Sequence, residues 1–434
     1  MKKILLLTGF LALLISGCSS RLPNIILVSI DTLRADHLSC YGYERRTSPI
    51  IDSLASNGVL FELCQAQAPW TLPSHATMFT GLTVRNHGTT LSDGHEHKLD
   101  PSLASLPVLL HDNGYRTAGF VNVRFLTEPF GFNAGFDHFI FDTENGLQAA
   151  STVNRAISWL GEELNSRSEG EQAPFFMFIH LWDVHAPYDP PDPFANYFTD
   201  QTRETGCDWA LGEGDEVLNP EDRDFFIARY DGSISYVDHE LGRLFSELRT
   251  LGVSDNTLII ITADHGEEFL EHGGVSHGKT LFQEQLHVPL IIAGPGVPAG
   301  EREDIPCGLF DLFPTIIGQT ELSIPDSLDG IDLFSGDYSS ARVIPSSGIR
   351  SDNLLEYSQV AVLKDRQKLI WGIHSETGMQ FDLANDPGET HSLPVLRTLV
   401  STAEFYWYTP PRGNPETLID DEVRQELNDL GYIR

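Results

Sequence analysis

Asn24-Ile25-Ile26-Leu27-Val28-Ser29-Ile30-Asp31 is a short apolar run that stops on a carboxylate. Such a run, rich in β-branched residues, reads as a strand buried on both faces, and it hands Asp31 to the strand's carboxyl end. Thr257-Leu258-Ile259-Ile260-Ile261-Thr262 repeats the pattern and delivers Asp264, His265 and Gly266. Phe175-Phe176-Met177-Phe178-Ile179-His180 does so again, with Asp183 and His185 just beyond. In open α/β sheets the ligand crevice lies outside the carboxyl ends of the strands, so these groups are expected to converge there. Helix and strand alternate through the first half of the chain, as in a doubly wound sheet.

The second informative stretch runs from Ala68 through Pro69-Trp70-Thr71-Leu72-Pro73-Ser74-His75 to Gly81. Pro73 suits the first position of a helix, which puts Thr71 just before it, beside unpaired backbone N–H groups and the positive end of the dipole. That is a good position for a nucleophile attacking an oxyanion. Taken alone, Thr71 reads first as an ordinary helix N-cap.

Five blocks in order decide between these readings, and the chain is identified from them as resembling the sulfatase family of the alkaline phosphatase superfamily. They are Asp31, the Thr71–Gly81 turn, Asp183-Val184-His185-Ala186-Pro187-Tyr188, Asp264-His265-Gly266-Glu267, and Phe381-Asp382-Leu383-Ala384-Asn385-Asp386-Pro387-Gly388-Glu389-Thr390. The resemblance runs from about Asn24 to the C-terminus. It implies an alkaline-phosphatase-like α/β fold, a doubly wound mixed sheet sandwiched by helices, followed by a small antiparallel sheet with a closing helix. Domain limits are set at 18–340 for the catalytic part and 341–434 for the C-terminal part.

The resemblance also implies a divalent cation on Asp31, Asp264 and His265 with the Thr71 oxygen as fourth ligand, a reasonable oxygen and nitrogen donor set. Sulfatases proper carry Cys or Ser at the Thr71 position, oxidised to formylglycine, a route closed to threonine. The superfamily's nucleotide phosphodiesterases and phosphoethanolamine transferases resemble this chain in using threonine, so phosphate or phosphonate esters are expected as substrates, with Thr71 as nucleophile. The alternatives are a sulfatase using Thr71 directly, an envelope phosphotransferase, and a degenerate binding protein. His75 replaces the arginine of the sulfatase signature and makes the clamp on the nucleophile pH-dependent. His185 matches a position that contacts the transferred group or protonates the leaving oxygen. His277 or Lys279 would neutralise equatorial charge in the transition state. An imidazole at 265, where arylsulfatases place an asparagine and bind calcium, tilts the choice toward manganese or zinc, with magnesium and calcium open. One ion is expected rather than two. A second, on Asp183, His185 and His277, would not match the Asp-x-x-x-His spacing of two-metal phosphodiesterases. His87, His272 and His287 read as structural.

The balance of 28 basic against 62 acidic residues, a net charge of −34, argues against nucleic acid or anionic lipid as partner. An anionic ester substrate then needs local positive charge, which a bound metal supplies economically. Lys2-Lys3, an apolar stretch from Ile4 to Ile15 and Ser16-Gly17-Cys18 read as an export signal. Its end resembles a bacterial lipoprotein signal covering residues 1–17, with Cys18 lipidated and the protein anchored in the cell envelope, Ser19 pointing to the outer membrane. Cys40, Cys64, Cys207 and Cys307 remain as buried thiols or disulfides, their pairing and the oligomeric state unreadable. Further helices are expected at Ser48–Gly58, Leu103–Asp112, Glu144–Glu163, Phe225–Leu251, Asp311–Ile317 and Asp420–Leu430. A long loop is expected at Asp189–Glu221, strands at Val59–Leu63, Thr117–Val121 and Pro289–Ala293, and hairpins after Arg342.

Overall fold

The computed structural model describes residues 22–92, 95–142, 148–166, 173–199, 220–336, 342–348, 350, 358–414, 418–419 and 423–425. The leader with Cys18, Cys207, most of the loop expected at 189–221 and most of the helix expected at 420–430 lie outside them. Among the described residues no helix is long and apolar enough to cross a membrane.

One large sheet organises the catalytic part. Its strands in chain order are β1 (Asn24–Ile30), β2 (Val59–Gln65), β3 (Arg116–Val121), β4 (His138–Phe141), β5 (Phe175–Leu181), β6 (Thr257–Ala263), β7 (His287–Ala293), β8 (Glu301–Glu303) and the two-residue β9 (Cys307–Gly308). They lie side by side as β8-β2-β7-β6-β1-β5-β3-β4, with β9 also on β2. Only β7 runs antiparallel to its neighbours, β2 and β6. β1, at the centre, is buried at every residue, as its apolar run requires.

Both faces are covered, and the alternation of side chains along β5 shows how. Phe175 points one way and meets Trp159 of the Ala149–Ser166 helix, edge to face at 6.1 Å. Phe178 and His180 point the other way and meet Phe79 and His75 of the Thr71–Thr80 helix at 4.9 Å and 5.2 Å. The Pro49–Ser56, Ala149–Ser166 and Pro220–Thr250 helices pack together as one layer, and Thr71–Thr80, Leu106–Asp112 and Leu312–Gly318 form the other. All ten residues of the Thr71–Thr80 helix are buried. The helix closes on Gly81, whose φ of +64° lets its N–H return to the Thr77 carbonyl.

The C-terminal part is a four-stranded antiparallel meander: β10 (Val343–Ser347), β11 (Gln359–Lys364), β12 (Gln367–Gly372) and β13 (Thr377–Asp382). Alternation again sorts its residues. Val360, Val362, Leu369 and Trp371 pack under a helix at Arg397–Tyr408, while Ala361, Leu363, Ile370 and Phe381 join the core of the catalytic part. That helix sits upstream of the closing helix expected at 420–430. Cys40, Cys64 and Cys307 are free thiols, with Cys64 and Cys307 as register partners on β2 and β9.

Candidate active site

Register alone brings the two carboxylates together. β1 pairs in parallel with β6, Ile30 opposite Ala263, so the next residues, Asp31 and Asp264, leave adjacent strands side by side. On the other flank β1 pairs with β5, Ser29 opposite His180. Ser29, Asp31, His180 and Asp264 thus share the sheet face on which the Thr71–Thr80 helix lies. His75 clamps that helix down: its Nδ1 is 2.8 Å from the Thr71 carbonyl oxygen and its Nε2 is 2.9 Å from Ser29 Oγ. The same Nδ1 lies 3.7 Å from Asp264 Oδ2. Thr71 is the first residue of the helix, not the residue before it, because Trp70 takes the N-cap position; Pro73 therefore falls inside the first turn. Trp70 gives no side-chain cap, so the N–H groups of that turn stay available to an anion.

Asp31, Asp264 and His265 are fully buried and can offer one ligand atom each within 4.8 Å of one another. His265 Nε2 lies 3.5 Å from Asp31 Oδ1 and 3.4 Å from Asp264 Oδ2, and His180 Nε2 lies 3.3 Å from Asp31 Oδ2. Five of these buried atoms have no hydrogen-bond partner: both oxygens of Asp31, Asp264 Oδ2, His180 Nε2 and His265 Nε2. Buried acceptors left unpaired cost about 1–3 kcal/mol each, more when charged, and two adjacent carboxylates add repulsion. A divalent cation between Asp31, Asp264 and His265 gives their ligand atoms the partner they lack, so these residues fit the metal that the sequence called for. Burial pushes the Asp31 and Asp264 carboxyls above their usual range. Burial works against a charged His265, but the Asp264 and Asp31 carboxylates outweigh it and raise its pKa. His75 and His180 go the other way, burial driving them to about 3 and about 4, so both are neutral at neutral pH.

A second group faces this one. His277 and His265 have ring centroids 4.4 Å apart, and His185 stands 4.9 Å from His277, stacked on Trp182 at 3.7 Å. His277 Nδ1 is 3.0 Å from Glu267 Oε1, whose other oxygen accepts from the Tyr188 hydroxyl at 2.7 Å. His185 Nδ1 is 2.8 Å from the Ala186 carbonyl. Burial lowers His185 to about 4 and holds His277 well below its ordinary value. Lys279 is exposed and acts on His277 through charge. Asp183 does not join His185 and His277. Its Oδ1 accepts from the Ala149 N–H, 3.0 Å away, at the start of a helix, and no described metal-binding group contains those three residues.

The segment carrying Glu267, His277 and Lys279 is held from outside. Glu389 Oε1 pairs with Lys368 Nζ at 2.8 Å, both buried, and Glu389 Oε2 accepts from the Gln283 N–H. Gln285 bonds Gly266, Glu268 and Thr280. A Cβ on Gly266 would sit 2.1 Å from the Glu284 carbonyl, so only glycine allows this approach. Of the histidines read as structural, His272 bonds Glu284, His87 bonds Thr77 and His287 bonds the Glu62 carbonyl.

Sequence reasoning passed over His180, which it treated as the last residue of a strand. The signal was its register with Ser29, two residues before Asp31, and register is not written in a single sequence. Arg350 was also missed. Its N–H donates to the Gly278 carbonyl and its guanidinium lies over Trp70 and Phe125.

A sulfatase family model matches residues 23–322. An arylsulfatase of Clostridium perfringens is 26% identical over 452 residues, covering 88% of this chain and 91% of that protein. The crystal structure of a phosphonate monoester hydrolase of Agrobacterium radiobacter superposes with a TM-score of 0.70 at 23% identity, covering 88% of this chain and 94% of that one. A putative sulfatase from Bacteroides fragilis gives 0.71 at 19% identity, covering 95% and 98%. These two structural likenesses are likenesses of fold.

Proposed function

The chain belongs to the sulfatase family, and on that premise we propose that it is a metal-dependent hydrolase of phosphate or phosphonate esters with Thr71 as nucleophile. The observation that carries the reading is the convergence of five unpaired buried donor atoms beside a helix that starts at an unmodified threonine. Asp31, Asp264 and His265, with the Thr71 oxygen, would hold the ion. A divalent cation there lowers the pKa of the Thr71 hydroxyl and offsets charge on the ester oxygens.

The protein's own groups do the rest. Thr71 Oγ1 attacks phosphorus, the bond to the leaving alkoxide breaks, and the phosphoryl group rests on Thr71. The open N–H groups of the helix's first turn receive the phosphoryl oxygens. Water then displaces Thr71 and regenerates the hydroxyl. His185 and His277 are neutral, and each has Nδ1 engaged, by Ala186 and by Glu267, which leaves Nε2 open to accept the proton of the attacking oxygen and, once protonated, to pass it to the leaving one. His75 sets the orientation of the Thr71 turn, and Lys279 adds positive charge at the rim for an anionic ester. The proposal places the enzyme in the envelope of a bacterium, exported and lipid-anchored through Cys18.

The arylsulfatase relative suggests a second reading, sulfate ester hydrolysis, which in this chain would use Thr71 directly. Rates on aryl phosphate, aryl phosphonate and aryl sulfate esters, each for the wild type and Thr71→Ala, separate the two. Turnover of phosphorus esters that Thr71→Ala abolishes supports the proposal. Turnover confined to sulfate esters replaces it with the second reading.

A further inference from the structure

His180 is buried, and its ring is held in the same manner as that of His265. His180 Nδ1 lies 2.9 Å from Asn122 Oδ1, and His265 Nδ1 lies 2.9 Å from the Gly266 carbonyl. In each ring an oxygen takes the Nδ1 proton, so the Nε2 lone pair points at carboxylates. His180 Nε2 faces Asp31 Oδ2 at 3.3 Å, His265 Nε2 faces Asp31 Oδ1 at 3.5 Å and Asp264 Oδ2 at 3.4 Å, and none of these atoms has a hydrogen-bond partner. A lone pair facing a carboxylate oxygen with no proton between them is repulsive. Imidazoles bound to metals are oriented in this way, the far ring nitrogen tied to an oxygen acceptor.

The spacings agree. Ligands bonded at about 2.1–2.2 Å stand roughly 3.0 Å apart on an octahedral edge and roughly 3.5 Å apart on a tetrahedral one. The three observed separations, 3.3, 3.5 and 3.4 Å, lie in that interval. His75 is different. It offers a ligand atom within 4.8 Å of those of His180 and Asp264, but Thr71 and Ser29 occupy its two nitrogens, so it has no lone pair to give.

We propose that His180 is a further protein ligand of the cation assigned to Asp31, Asp264 and His265, oriented by Asn122. The inference rests on the metal reading above and extends it to the identity of the ion. A second imidazole makes the donor set richer in nitrogen than calcium or magnesium prefers and selects manganese, zinc or another transition metal.

The test is calorimetric titration of the chelator-stripped full chain with Mn2+ and with Ca2+, comparing wild type, His180→Gln and Asn122→Ala, together with visible absorption of the Co2+ forms. Mn2+ affinity should fall about 10- to 100-fold in His180→Gln and by less in Asn122→Ala, with an altered Co2+ spectrum in His180→Gln. Ca2+ affinity should change less. Unfolding temperatures in chelator check that the variants are folded, and should His180→Gln not fold, Asn122→Ala carries the same comparison. Wild-type Mn2+ affinity and an unchanged Co2+ spectrum in the folded variant overturn the assignment of His180. A wild-type chain that binds no divalent ion overturns the metal reading itself, a separate failure.

Discussion

The substitution Asp31→Asn should stabilise the metal-free protein and destabilise the metal-bound one. The two carboxylates offer oxygens within 4.8 Å of each other in a fully buried site. Two unit charges at that separation repel by about 3 kcal/mol at an effective dielectric constant near 20. Burial raises both pKa values, so the full repulsion is felt only once both groups are ionised. Their folded-state pKa values lie above the unfolded ones, so the stripped protein is most stable in acid and loses that stability as pH rises through the raised values. The amide of the variant would remove one charge and keep the shape. A gain of about 2 kcal/mol, below the full repulsion, is expected in chelator at about pH 8, a rise of a few degrees in Tm for a chain of this size. With metal at about 1,000 times its Kd the wild type gains about 4.1 kcal/mol, most of which the variant forgoes for want of a ligand. The order of stabilities should therefore invert between chelator and Mn2+ in thermal unfolding followed by circular dichroism. A variant less stable than wild type by the same amount in both conditions would mean that the carboxylates serve the fold and not an ion.

Two further perturbations address the scaffold. Asp238 accepts from the Ile50 and Ile51 N–H groups at the start of the Pro49–Ser56 helix, and burial pushes its carboxyl up to about 7. Its contribution is greatest below the unfolded pKa and fades as pH rises through about 7, so Asp238→Asn should flatten the fall in Tm over that window; an unchanged slope refutes this. Glu389→Gln leaves the buried Lys368 ammonium unpaired and should cost about 3–5 kcal/mol in denaturant unfolding. Most of that should return in the Lys368→Met/Glu389→Gln double variant, and a double variant as unstable as the single one would refute the pairing.

The strands were legible because each central one is a single apolar run, and parallel pairing set their carboxyl ends, with Asp31, Asp264 and His265, on one edge. What escaped the sequence depends on contacts that no local pattern encodes. Asp183 sits beyond a strand end like the others, yet the nearby Ala149 N–H claims its carboxylate, and that position follows from where an earlier helix returns to the sheet. The Arg397–Tyr408 helix was unreadable because its residues are largely β-branched or aromatic and only Leu399, Val400 and Ala403 are buried, while Phe405 and Tyr408 face solvent. The start of the Thr71–Thr80 helix was misplaced by two residues for a simpler reason: Pro73 tolerates the whole first turn, not its first position alone.

The most direct test is to quench wild-type enzyme within one turnover of an aryl phosphate ester and find, by peptide mass spectrometry, where the phosphoryl group sits. A phosphoryl adduct on Thr71, absent from Thr71→Ala together with turnover, is the expected result. Undiminished hydrolysis by Thr71→Ala would contradict the assignment of this threonine as nucleophile.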